Sequence, residues 1–384
     1  MKKPSKVLPV IFLVCVSLLF LKTTDIQSKD GSETKSNPAI QLLLLSEEEP
    51  LTPSQPNIAF VTSIAYTGNL GGLSGADQKC QDLAKAASLP DNTYRAWLST
   101  SSVNAIDRLG SARGWVRVDG KPFADTKADI PYKIYYPLRI DELGNDEKDF
   151  GSLVWTGTNP DGTLVSNTCD DWTDSNVGVQ GQTGSNEGLS SLFTSSGVSS
   201  CSGSSRLYCF GVNKKSQVTL KPTTGRVAFV TNSPWTPSSG LAGADQKCMD
   251  DAQQAGLPGS FKAFIATDGA SAASRFNENG PPWVRPDGVA VALTAADLFE
   301  ADFLDSAIHQ SADGLLYLSD YGIWTGAWSR TAAGTVNTTC NNWTSSSDAN
   351  MAVYGTAGYT SRIFFARTPQ SCALDYFRLY CLQE

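Results

Sequence analysis

Nine cysteines and one histidine are the side chains whose types invite chemistry, and their arrangement argues against most of it. His309 stands alone, so neither a multi-histidine metal site nor a histidine-based triad in each half of the chain can be built. Eight cysteines fall into two sets, Cys80, Cys169, Cys201, Cys209 and Cys248, Cys340, Cys372, Cys381, with spacings of 89, 32 and 8 against 92, 32 and 9. A zinc site would need short Cys-x-x-Cys or histidine spacings. A catalytic thiol would need a basic activator beside it. Neither set supplies these, so both read as structural disulfides, two per set. Four cysteines permit three pairings, and spacing does not choose among them. Cys169-Asp-Asp-Trp172 has the look of an acid–base or metal motif, but its counterpart is Cys340-Asn-Asn-Trp343, with both carboxylates replaced by amides. Both read as loop caps. The densest cationic set is Arg95, Arg108, Arg113 and Arg117, with Lys262, Arg275 and Arg285 as thinner counterparts. They are the candidate ligand-binding residues for an acidic partner, against an ordinary reading as solvated charges. The acidic stretch Asp141–Asp149 reads as a solvated loop. A net charge of −8 and a pI near 4.9 argue against nucleic acid as a partner. No enzyme is expected, and no cofactor.

The elements that hold these residues occur twice. Gly75-Ala-Asp-Gln-Lys-Cys80 recurs unchanged as Gly243-Ala-Asp-Gln-Lys-Cys248. Ile58-Ala-Phe-Val-Thr62 answers Val227-Ala-Phe-Val-Thr231, and Trp155-Thr-Gly157 answers Trp324-Thr-Gly326. Arg206-Leu-Tyr-Cys209 recurs as Arg378-Leu-Tyr-Cys381. A period this long is a duplicated domain rather than a solenoid. The copies span 57–212 and 226–384, joined by a polar linker at 213–225, and each is long enough to fold alone. They carry net charges of −5 and −6, so neither hides a strongly basic module. Ala76, Cys80, Leu83, Ala84 and Ala87 follow helical spacing, with Ser74 and Asp77 fitting the helix start. The repeated run Ala244, Cys248, Ala252, Ala255 predicts the same buried face. Tyr94–Ser99 and Phe261–Ala266 read as strands, and Arg206–Phe210 and Phe377–Leu382 as closing strands. Trp155, Trp172, Trp324 and Trp343 read as core aromatics. The pattern predicts an α+β class with a loop-rich second half in each copy.

The N-terminus predicts the compartment. Lys2, Lys3 and Lys6 precede an apolar run from Val7 to Leu21, too short to span a bilayer. Residues 1–22 read as an export signal of unclear cleavage site. Cys15 within it is a candidate lipidation site. Residues 23–56 read as a flexible tether with little to bury. Membrane contact is expected only through an N-terminal anchor, if one is retained.

The repeated block of Gly-Ala-Asp-x-x-Cys, helix, Leu-Pro and aromatic-basic-Ala-aromatic resembles endostatin, the C-terminal domain of certain collagens. So do Trp155-Thr-Gly-x-x-Pro-Asp-Gly162, Cys169-Asp-Asp-Trp172 and the closing pair Cys201 and Cys209. The resemblance covers most of both copies. It implies two tandem C-type-lectin-like domains with nested disulfides, Cys80–Cys209 with Cys169–Cys201 and Cys248–Cys381 with Cys340–Cys372. Behind an export signal, the pattern looks like the leptospiral endostatin-like surface proteins. That family implies an outer-membrane or cell-surface adhesin, lipid-anchored or secreted, binding host laminin and fibronectin, with complement factor H as a further partner. Two tandem copies on a tether would gain avidity on repetitive targets. Endostatin's zinc histidines have no counterparts here, and Ser74 and Ala242 stand where its heparin-binding arginine would be. Neither zinc nor heparin binding is carried over. A calcium lectin site needs several carboxylate and amide oxygens. Gly197-Val-Ser-Ser200 and Thr368-Pro-Gln-Ser371 precede the third cysteines, so calcium is not expected. Asn159-Pro-Asp161 reads as a turn, with Ser329-Arg-Thr331 nearby in the second copy. The alternative functions are a glycan-binding module and a structural envelope protein without a host ligand.

Overall fold

The computed structural model describes residues 55–384 apart from 91–92, 131, 149–152 and 318–321. The export segment, Cys15 and the tether up to residue 54 lie outside the described residues. Each repeat begins with a strand whose alternation separates two cores. In β1 (Asn57–Val61), Ala59 and Val61 face one apolar cluster and Phe60 the other. In the second repeat, Ala228 and Val230 divide from Phe229 in the same way. This period-2 alternation is what a strand buried on both faces requires.

The first repeat then runs through β2 (Tyr94–Ala96), β3 (Trp115–Val116), β4 (Pro122–Ala124), β5 (Leu153–Trp155), β6 (Gln180–Ser185), β7 (Gly197–Ser200) and β8 (Tyr208–Gly211). One sheet has the order β2-β8-β1-β3-β4, and β5-β6-β7 form a second. The chain's last strand in this repeat therefore lies antiparallel to its first, with Cys209 opposite Phe60. The second repeat repeats the plan with β9 (Arg226–Val230), β10 (Phe261–Ala263), β11 (Trp283–Val284), β12 (Gly322–Trp324), β13 (Met351–Thr356), β14 (Arg367–Ser371) and β15 (Arg378–Gln383). Here β12 also pairs in parallel with β15, joining all seven strands into one sheet. In the first repeat that join narrows to a single bridge, Val154 to Arg206. Strands at Tyr94 and Phe261 are shorter than the sequence predicts, because the chain leaves the sheet after Ala96 and Ala263.

The long helices are Gly72–Ala86 and Gly240–Gln254. Ala76, Cys80 and Ala84 form the buried face of the first, one side chain per turn. The expected start at Ser74 is corrected. Gly71 and Gly72 hold φ of 79° and 71°, a region where a β-carbon clashes, so the chain turns into the helix there. Asp77 consequently lies well inside the helix rather than in its first turn.

Four disulfides brace this α+β protein. Cys80 joins Cys209 and Cys248 joins Cys381, tying each long helix to its closing strand across separations of 129 and 133. Cys169 joins Cys201 and Cys340 joins Cys372, each across 32 residues. Cystines persist in oxidising compartments, so the chain is an exported one. Among the described residues, no helix is long and apolar enough to cross a membrane.

Candidate functional site

The two Cys-x-x-Trp motifs form the same local structure. Cys169, Asp170, Asp171 and Trp172 all take positive φ (49–69°), and Cys340 to Trp343 do likewise (51–66°). Four consecutive residues in this region make one left-handed turn, which costs each non-glycine residue of order 1 kcal/mol. The disulfide and the tryptophan hold it. Trp172 is fully buried and its Nε1–H donates to Ser99 O at 2.7 Å; Trp343 donates to Ala266 O at 2.7 Å. The acidic position does cap work. Asp171 accepts from Ser101 N–H and Ser101 Oγ–H, both at 2.7 Å, which holds its carboxyl below the usual range against a partial desolvation. Asn342 Oδ1 accepts from Asp268 N–H at the matching place. An amide serves as well as a carboxylate here, since both offer the acceptor oxygen. Trp155 and Trp324 are also fully buried.

The structure separates the seven cationic candidates. Arg117 and Arg285 are 2% and 1% exposed, and each forks onto the aspartate two residues later, Asp119 and Asp287. Arg108 is buried and clamps both oxygens of Asp77 at 2.6 and 2.7 Å; Arg275 does the same to Asp245. These four are bracing groups, so the expectation that they present charge to a ligand is corrected. Arg117 and Arg285 pair fork to fork with their carboxylates, and Arg108 and Arg275 set one Nη2 between both carboxylate oxygens, all within their own repeat. Arg113, with Asp125, and Lys262, with Glu384, reach the surface already paired. Arg95 is exposed, with its Nη1 donating to Arg108 O.

The acidic stretch is likewise more than a solvated loop. Asp141 and Glu142 are buried. Asp141 closes its own turn, accepting from the N–H groups of Leu143 and Asn145 at 2.9 and 2.8 Å. Glu142 binds Ser63, Asp146 pairs with Arg139, and Glu147 pairs with Arg206. No group of three or more His, Cys, Asp or Glu able to hold a metal exists among the described residues.

His309 is fully buried. Its Nδ1 lies 3.1 Å from Ala307 O and 3.3 Å from Arg285 Nη1, and Nε2 has no hydrogen-bond partner among the described residues. Burial, then the Arg285 charge, lower its pKa to about 3, so the imidazole is neutral near pH 7.

One aromatic departs from the pattern. Eight of the nine tryptophans are buried, but Trp328 is 58% exposed. It stands four residues after Trp324, where the first repeat has Asn159. The stretch 327–339 around it holds one charged residue, Arg330, which is itself buried, its Nη2 donating to Ala301 O. Burial pushes the Arg330 pKa down to about 10. The surface at Trp328 is therefore an apolar anchor in a loop whose one charged residue is buried. A tryptophan in one repeat with no aromatic counterpart in the other was the signal in the sequence.

Comparison with known proteins returns no matching family model and no matching curated sequence.

Proposed function

We propose that this exported protein is an adhesin-type binding protein, built from two tandem endostatin-like, C-type-lectin-like domains, that binds host extracellular-matrix proteins such as laminin and fibronectin. The resemblance of both repeats supplies the ligand class. The exposure of Trp328 is the observation that carries a binding reading. Exposed tryptophans rimmed by polar residues are the side chains most enriched among binding hot spots. An indole left 58% exposed in a protein that buries its other eight is a surface in want of a partner. With four arginines braced and Arg113 and Lys262 paired to carboxylates, exposed Arg95 is the cationic candidate left to steer an acidic partner.

The test is binding of the full exported chain to immobilised laminin and fibronectin. Wild type is expected to bind at least one, and Trp328→Ala to bind at least tenfold more weakly with an unchanged circular dichroism spectrum. Arg95→Glu is expected to weaken the salt dependence. Equal binding by wild type and Trp328→Ala would remove the anchor. A glycan ligand is the second reading, favoured by the exposed hydroxyls of Ser329 and Thr331 on the same turn. Binding to a glycan array with no binding to either matrix protein would select it.

A further inference from the structure

The two repeats meet along a seam whose centre is symmetric in sequence. The offset of 171 residues that relates Cys201 to Cys372 also relates Gly188 to Tyr359, and these two residues pair as an antiparallel bridge. The hydrogen bonds on either side obey the same offset. Leu189 N–H donates to Gly358 O at 2.9 Å, and Thr360 N–H donates to Glu187 O at 3.3 Å. Each bond is the other's image under exchange of repeats. An interface in which residue i meets j while j's equivalent meets i's is isologous, the geometry of a two-fold homodimer.

Around this centre the contacts lose their symmetry and tighten. Asp141 and Ser311 are equivalent, since each bridges the same position of its repeat's first strand, Val61 and Val230. Arg139 is therefore the counterpart of His309. Arg139 is 2% exposed and crosses the seam, its Nη1 donating to Leu304 O at 2.6 Å and to Thr360 Oγ at 3.3 Å while Nε holds Asp146. His309 instead stays with Arg285 of its own repeat. Ser306 Oγ–H donates back to Tyr135 O at 2.7 Å, and Lys121 pairs with Asp305 at 3.2 Å. Ala307 packs within the first repeat's apolar core. At Gly358 the Leu192 side chain of the first repeat packs so close that a β-carbon would stand 2.6 Å from its Cδ1. The linker adds to the join. Val218 N–H donates to Asp125, and Thr223 N–H donates to Gly288 O.

We infer that residues 185–190 with Arg139 in the first repeat, and 356–361 with 304–307 in the second, form a homotypic docking surface that locks the chain into a covalent pseudo-dimer. The partner of each repeat's face is the other repeat. The tandem is then one binding body with two fixed ends, in place of two modules that find their ligands independently. An isologous centre with asymmetric flanks is what duplication of a self-pairing domain produces once each half is free to vary.

Two experiments on the full chain test this. Gly188 and Tyr359 form a non-hydrogen-bonded antiparallel pair, whose Cα atoms stand roughly 4.5 Å apart and so lie within disulfide reach. The Gly188→Cys/Tyr359→Cys variant is expected to carry the new cystine in more than about nine-tenths of molecules, read as the linked peptide by mass spectrometry without reduction. Separately, a protease site placed in the linker at 219–220 is cut in otherwise unaltered protein. The halves are expected to co-elute at the size of the uncut chain, and a Gly358→Phe wedge to lower the co-eluting fraction at least tenfold. Free thiols at both new cysteines in folded protein, or halves that separate with their native disulfides intact, would overturn the docking surface.

Discussion

Acid should unpick this protein from His309 outward. In the folded chain the imidazole is neutral, with a pKa lowered to about 3, whereas the unfolded side chain titrates near 6.5. Lowered folded pKa means that the unfolded state binds the proton more tightly. The stability from a neutral His309 is therefore fully present above about pH 6.5 and is lost as pH falls towards 3. At about 1.4 kcal/mol per pH unit, the loss is about 2–3 kcal/mol by pH 4.5 and about 4–5 kcal/mol by pH 3. The physical source is burial of a second cation beside Arg285, which the Ala307 carbonyl and Asp287 offset only in part. Glu187 works the other way. Burial raises its pKa, so its protonation on acidification favours the fold. A His309→Gln variant isolates the histidine, because all other titrations are common to both proteins. Guanidinium unfolding with disulfides intact, from pH 7.5 to 4.5, is the assay. The variant is expected to be less stable at pH 7.5 by about 1–2 kcal/mol, for the altered buried contacts. The gap should then close by about one proton's slope below pH 6.5. Parallel pH profiles for the two proteins would refute the reasoning.

The braces give further expectations. On the chain-entropy model, replacing Cys80 and Cys209 by alanine opens a 129-residue loop and should cost about 5 kcal/mol, against about 4 kcal/mol for Cys169 and Cys201. Denaturation midpoints of the two double variants would show that order. Asp119→Asn strands the buried Arg117 guanidinium and should destabilise by about 2–4 kcal/mol in the same assay, since the remaining charge stays desolvated. Gly157→Ala should cost more than about 2 kcal/mol: its φ is +61°, and the added β-carbon would stand 2.7 Å from the Trp172 ring and 2.9 Å from Ser99 O. Its melting temperature is the check.

Local structure was legible where one residue type answers one demand. The helix face of Ala76, Cys80 and Ala84 and the buried tryptophans followed from spacing and side-chain volume. The helix start did not, because Gly71 and Gly72 set it through backbone freedom rather than through a side-chain cap. The arginines are a different case. Arg117 and Asp119 lie two residues apart, which is easily seen, but Arg108 reaches Asp77 31 residues away and Arg275 reaches Asp245 across 30. Charge in a sequence carries no record of a distant carboxylate, so braces and free cations look alike. The seam was invisible for the same cause. Gly188 and Tyr359 share neither type nor local pattern, and only the fold brings their offset into view. Trp328 is the intermediate case. The sequence marks it as unmatched, and the structure adds that it is exposed.

The most direct measurement of the central claim is equilibrium binding of the full exported chain, disulfides intact, to immobilised laminin and fibronectin, beside its Trp328→Ala variant. Saturable binding to at least one matrix protein, weakened at least tenfold by the substitution, is the predicted result. A correctly disulfide-bonded chain that binds neither protein would contradict the account.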